Sequence, residues 1–139
     1  MIDDEINGLQ LEGREKEAVV KQRVNQGRFR DSLLRKYGKC CLCGAKNPVL
    51  LWASHIKPWS DSEPIEKLDE NNGLLLCPNH DRLFDKGLIS FEDSGKILIS
   101  SELSDEDRDR MNVDNLKIIK VNEQQKKYLL YHRTHIFRK

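Results

Sequence analysis

Aromatic residues make up only 6% of this 139-residue chain, and the hydrophobic share is 37%. So lean a core seldom holds a small domain together unaided, which points to a staple such as a bound metal. No apolar run approaches the roughly 18 residues of a membrane-spanning helix. The opening stretch MIDDEINGLQLEG is acidic and lacks the apolar centre of a secretory signal. A cytoplasmic location is therefore expected. In a reducing compartment the four cysteines are expected as metal ligands or core residues, not as disulfides. Internal repeats and low-complexity tracts are also lacking.

The formal net charge is only +1, yet the charges are segregated. Residues 14–39 carry nine Lys/Arg against three Asp/Glu, and residues 117–139 carry seven against one. Residues 61–115 reverse the balance, with six against fifteen. Two basic ends around an acidic middle suit a polyanion-binding surface beside a metal-binding region, or else solvated helix faces.

The pattern predicts an α+β domain over 14–139 behind a loose lead-in at 1–13. Residues 14–37 read as helical, with Gly27 breaking the run in two and Gly38 as the cap. "VLLWASH", residues 49–55, reads as a strand buried on both faces, and "GLLLC" as a second short strand. Residues 57–71, with two prolines and many acids, read as a loop. Pro78 opens a short helix that stops at Gly87. "LISFEDSGKILIS" reads as a hairpin turning at residues 93–95. Ser104 opens a short acidic helix, residues 116–121 are a further strand candidate, and residues 123–134 form a last helix with Leu129 and Leu130 facing the core.

Cys40 and Cys43 stand at C-x-x-C spacing, followed by Gly44, which lets one tight turn aim two thiolates at one ion. Cys77 and His80 supply the second pair at a helix start. Together these four residues make a Cys3His structural zinc site. Cys41 falls outside the spacing and is expected to point into the core.

His55 in "WASHIKPWS" is followed seventeen residues on by Asn72 and, nine further, by Asp81. A histidine in this context, an Asn before a short apolar strand and a ligand on the next helix resemble the HNH nucleases. The segments "VKQRVNQGRFRDSLLRKYGKCCLCG", "HIKPW", "NNGLLLCPNHDRLFDKGLISF" and "YLLYHRTHIF" resemble the branch forming the C-terminal catalytic domain of bacterial restriction-type endonucleases. The resemblance implies a ββα-metal, treble-clef-like core with structural zinc, N-terminal helices, and a C-terminal hairpin and helix. It implies a metal-dependent DNA endonuclease, with His55 activating water, Asn72 aiming it, and Asp81 holding a catalytic Mg²⁺ or Mn²⁺. The residue before the histidine, an acid or histidine in relatives, is Ser54 here. That leaves Asp85, one turn after Asp81, as the candidate to complete the metal shell. Its bland alternative is a surface acid.

Lys21, Arg23, Arg28, Arg30, Lys57, Arg133 and Arg138 are the candidate phosphate contacts. His132 and His135 are expected on the surface or facing phosphate. Trp59 is read either as a wall of the DNA groove or as a packed core residue. No recognition helix is visible, so weak intrinsic sequence preference is expected, with any specificity supplied by a fused or partner domain; a homodimer is the other candidate assembly. Two competing readings are a non-catalytic zinc module that binds DNA and a zinc-stabilised protein-interaction domain.

Overall fold

The computed structural model describes residues 13–139. The expected lead-in thus lies outside the described residues, except for Gly13, which opens the first helix. That helix, α1, runs unbroken from Gly13 to Tyr37. The break expected at Gly27 does not occur. An interior glycine costs a helix only about 1 kcal/mol, and the burial of Phe29 and Leu33 just beyond it outweighs that cost. As expected, Gly38 ends the helix, its N–H reaching the Leu34 carbonyl at 2.9 Å.

Strand β1 is Trp52–His55, shorter than expected. Val49 and Leu50 instead lie in a 3-10 turn, Pro48–Leu50, capped by Asn47. They are exposed, as is Trp52. The proline and the Asn47 side chain favour a turn over an extended ladder. The acidic connection contains a second 3-10 turn, Trp59–Asp61, a short helix α2, Pro64–Leu68, and a third 3-10 turn, Glu70–Asn72. Strand β2, Gly73–Leu76, pairs antiparallel with β1 and sets His55 opposite Gly73 and Ser54 opposite Leu74. Helix α3, Pro78–Asp85, follows with Cys77 as its N-cap. These three elements are the ββα unit.

β2 is buried along its whole length, because α1 covers it on one side and α3 also packs on the sheet. Gly73 makes the first contact possible. A Cβ there would lie 2.6 Å from the Phe29 ring and 2.7 Å from Leu33, so only glycine lets α1 close down on the sheet.

The predicted hairpin is present as β3, Ile89–Phe91, and β4, Ile97–Ile99. Residues 116–121 contribute a single bridge, Lys96 to Ile118, and no strand. Ser104 caps α4, Asp105–Arg110, by accepting from the Asp107 N–H. The final helix, α5, is Glu123–His135. Leu129 is fully buried, but Leu130 is 57% exposed and is not a core contact. The helix instead buries Gln125, Tyr128, Leu129 and His132, one face at three- and four-residue spacing.

His132 departs most from its expected place. It is 1% exposed, stacked on Phe84 at 3.9 Å, and bonded to the Ser90 hydroxyl at 2.7 Å and the Phe84 carbonyl at 2.8 Å. Burial pushes its pKa down to about 4, so it joins the helix to the hairpin as a neutral ring. His135 stays on the surface. Among the described residues no helix is long and apolar enough to cross a membrane.

Candidate active site and metal centre

The cysteine turn is built by its own backbone. The Cys40 N–H donates to the Ala45 carbonyl at 2.8 Å, and the Gly44 N–H returns to the Cys40 carbonyl at 2.9 Å. Gly44 has φ +81°, the left-handed region that glycine enters freely. The turn curls the Cys43 N–H to 3.5 Å from the Cys40 sulfur. Across from it, the start of α3 presents Cys77 and, one turn on, His80. The ligand atoms of Cys40, Cys43, Cys77 and His80 all lie within 4.8 Å of one another.

This set fits a tetrahedral ion. Bond lengths of about 2.3 Å to sulfur and 2.0–2.1 Å to nitrogen put neighbouring ligands about 3.5–3.8 Å apart. The Cys40 sulfur and His80 Nδ1 are separated by 3.8 Å. Nε2 of His80 is 2.9 Å from the Met111 carbonyl. A carbonyl only accepts, so Nε2 carries the proton and a neutral ring leaves the Nδ1 lone pair facing the sulfurs. Burial opposes a Cys40 thiolate, but His80 and surrounding backbone N–H groups more than reverse this and hold its pKa at about 6. Cys41 stays outside the cluster, with its N–H bonded to the Leu75 carbonyl at 2.9 Å and burial pushing its thiol up.

Alternation along β1 sends its last two side chains to opposite faces. Ser54 is buried and donates its hydroxyl hydrogen bond to Asp81 Oδ1 on α3. His55 turns toward α1, where its ring stacks on Phe29 and meets the edge of Trp59. Its Nε2 lies 2.9 Å from the Lys67 carbonyl, so Nε2–H donates and Nδ1 is left as the basic nitrogen. Burial lowers the pKa of His55, the Lys67 bond opposes this, and the Lys67 charge adds to the lowering. The ring is therefore neutral at pH 7.

Asn72 is fully buried. Its side-chain oxygen accepts from the Lys57 N–H at 2.8 Å, and its amide donates to the Glu66 carbonyl at 3.1 Å. Its own carbonyl accepts from the Ile56 N–H at 3.1 Å. One side chain thus ties the turn leaving His55 to the helix that ends beside Lys67.

Asp81 is half-buried on the first turn of α3. Burial raises its pKa, the Ser54 hydrogen bond opposes that, and the Asp85 charge adds to the rise. Asp85 is exposed on the next turn. Among the described residues these two carboxylates belong to no cluster of three or more ligands. A hard cation held there would rest on one or two carboxylates and keep several waters, which suits Mg²⁺. No hydrogen bond joins His55 to Asp81 among the described residues.

The predicted phosphate contacts fall into two groups. Lys21, Arg23 and Arg28 lie along α1, with Lys21 and Arg28 exposed. Four others hold parts of the fold together. Arg30 bonds the Pro48 carbonyl at 2.6 Å, and Lys57 pairs with Glu66 at 2.9 Å. Arg133 reaches the Phe91 carbonyl at 2.9 Å and Asp93 at 3.0 Å. Arg138 bonds the Lys86 carbonyl at 2.9 Å.

Two residues that shape the His55 environment escaped the sequence reading. Phe29 was legible only as a helix core position. Lys67 acts through its backbone carbonyl, which no side-chain pattern announces.

Together the pieces define a ββα-metal, treble-clef-like module carrying a Cys3His cluster of the kind that holds zinc. Residues 40–92 match the family model described as HNH endonuclease. Among solved structures, the chain is similar to one titled "Modification dependent TagI restriction endonuclease", with a TM-score of 0.52 and 22% identity. The match covers 76% of this chain and 36% of that one, so this chain spans about a third of that protein's length. At that identity the likeness concerns the fold. No curated protein matches the chain.

Proposed function

We propose that this chain is a metal-dependent DNA endonuclease domain that hydrolyses phosphodiester bonds, in a restriction or defence setting. The observation that carries the reading is the fixed tautomer of His55: Nε2–H is committed to the Lys67 carbonyl, so Nδ1 is an unprotonated base at neutral pH.

The chemistry follows from these groups. His55 Nδ1 takes the proton from the attacking water, and the lowered pKa keeps the base in its working form. Phe29 and the Lys67 carbonyl fix the ring plane, and Asn72 ties the turn leaving His55 to the helix that carries Lys67. Asp81, with Asp85 beside it, would hold a Mg²⁺ or Mn²⁺ ion, which when bound supplies Lewis acidity at the phosphate and the leaving oxygen. Ser54 orients the Asp81 carboxylate. A zinc ion held by Cys40, Cys43, Cys77 and His80 would lock the start of α3, and with it Asp81, against the cysteine turn. Basic side chains on α1 would contact phosphates without reading bases.

Supercoiled plasmid incubated with Mg²⁺ or Mn²⁺ tests the proposal. Nicking or linearisation by the wild type and its loss in His55→Ala is the expected result. Equal cutting by both would remove His55 from the mechanism. The alternative, a zinc-stabilised module that binds DNA without cutting, is favoured by Ser54, which stands where a metal-binding acid or histidine is usual. It predicts salt-sensitive DNA binding with no cutting under any divalent ion.

A further inference from the structure

Both tryptophans of the chain line one open groove with His55, between α1 and β1. The groove has a volume of about 490 Å³. A single nucleobase is small enough to enter such a space. Its walls are Phe29, Trp52, Trp59 and the backbone at Gly27. Gly27 has nothing within 4 Å of where its Cβ would stand, so there is room beside α1 at this point of the wall.

The two tryptophans differ. Trp59 is already engaged, with the Lys67 ammonium 4.5 Å from its ring centroid and the His55 ring at its edge. Trp52 is 57% exposed, and among the described residues no ring or cation packs on it. On the far side of Trp59 a second hollow holds Lys21 and Lys67. An aromatic face with a free side, next to a basic groove, is how proteins hold unpaired nucleic acid strands.

We infer that the substrate is DNA with unpaired nucleotides at the cleavage position: a base stacks on Trp52 while Lys21 and Lys67 hold neighbouring phosphates. The inference rests on the nuclease reading and names its substrate class. A base in this groove brings its strand against His55, so preference for unpaired structure replaces base readout.

The test uses the full zinc-loaded chain and quenching of tryptophan fluorescence, with no Mg²⁺ added so that binding is read apart from cutting. The probes are an oligothymidylate and a blunt duplex of equal length. The single strand is expected to quench more and to bind more tightly. Trp52→Ala is expected to weaken it roughly 5- to 150-fold, the range for one lost base stack. Gly27→Leu, which improves helix propensity while filling the groove, is expected to weaken it as well. Equal affinity for both probes would overturn the inference, as would unchanged single-strand affinity in Trp52→Ala. A shift from dimer to monomer in Trp52→Ala with unchanged DNA affinity would assign the face to a second copy instead. Strand binding with no cutting of either the single strand or the plasmid under Mg²⁺ or Mn²⁺ would defeat the nuclease reading alone. Cutting without strand preference would defeat the groove alone.

Discussion

The imidazole of His55 lies flat on the phenyl ring of Phe29, with 4.0 Å between ring centroids and 6° between planes. The contact exists because Gly73, paired with His55 across the sheet, has no side chain to hold α1 away. In the role proposed for His55, removing a proton from water, the base must keep its orientation, and a stacked neighbour restricts rotation of the ring.

Phe29→Leu keeps an apolar side chain in the core but removes the stack. We expect DNA affinity within a few-fold of wild type and a cutting rate lower by roughly tenfold or more, since small misplacement of a reacting group is costly. Gly73→Ala should do the same with a larger loss of stability, as the added methyl meets Phe29 and Leu33. Single-turnover rates and thermal melts on the two variants check this. An unchanged rate in Phe29→Leu would show that the stack does not orient the base.

The pH dependence of cutting follows from two opposite shifts. His55 is lowered from its usual 6.5, and it works as the neutral form, so activity should persist below pH 6.5. Asp81 is raised from its usual 3.8, and it binds metal only when ionised, so it limits activity from the acid side. His55 is therefore in its working form at pH 7, and the raised Asp81 sets the acid limb. The kcat/KM profile should therefore be flat from about pH 7 upward and fall only below the ordinary histidine value. An acid limb centred above 6.5 would contradict the assignment of either group.

Ser54 contributes through Asp81. Its hydrogen bond favours the ionised carboxylate, against the burial that disfavours it. Ser54→Ala should raise the Mg²⁺ concentration needed for half-maximal cutting several-fold and move the acid limb upward. Asp81→Asn should lower the rate by at least about 100-fold, consistent with loss of a Lewis-acid ligand worth several kcal/mol. A metal titration that is identical in wild type and Ser54→Ala would separate Ser54 from the site.

Zinc is expected at about one ion per chain, because one Cys3His cluster is present among the described residues. Its ligands come from the cysteine turn and from α3, so Cys43→Ser or a strong chelator should loosen the whole ββα unit. The expected outcome is loss of cooperative thermal unfolding together with loss of the metal. A chain that melts unchanged after complete zinc removal would make the cluster dispensable to the fold.

Much of the local architecture could be read directly. Pro78, Gly87, the turn at residues 93–95 and the Ser104 cap each act within a few residues of themselves, so their effects survive in one dimension. The same holds for C-x-x-C followed by Gly44, whose geometry is a single turn. The misreadings share a cause. Gly27 and Leu130 were judged by local propensity or periodicity, while their environments are set by what packs beside them. The strand expected from Val49 is shortened by the Pro48 turn, and apolar composition does not distinguish an exposed 3-10 turn from a buried strand.

The sequence by itself determined the four zinc-ligand candidates and the spacing of His55, Asn72 and Asp81, because these depend on residue type and separation along the chain. Only the tertiary structure decided which nitrogen of His55 is free, what Ser54 does, and that His132 is a buried neutral ring. Those outcomes depend on partners 12, 27 and 42 to 48 residues away. A proton on a ring nitrogen is placed by whichever carbonyl the fold brings within reach, and that is settled when α1, α2 and α5 close over the sheets.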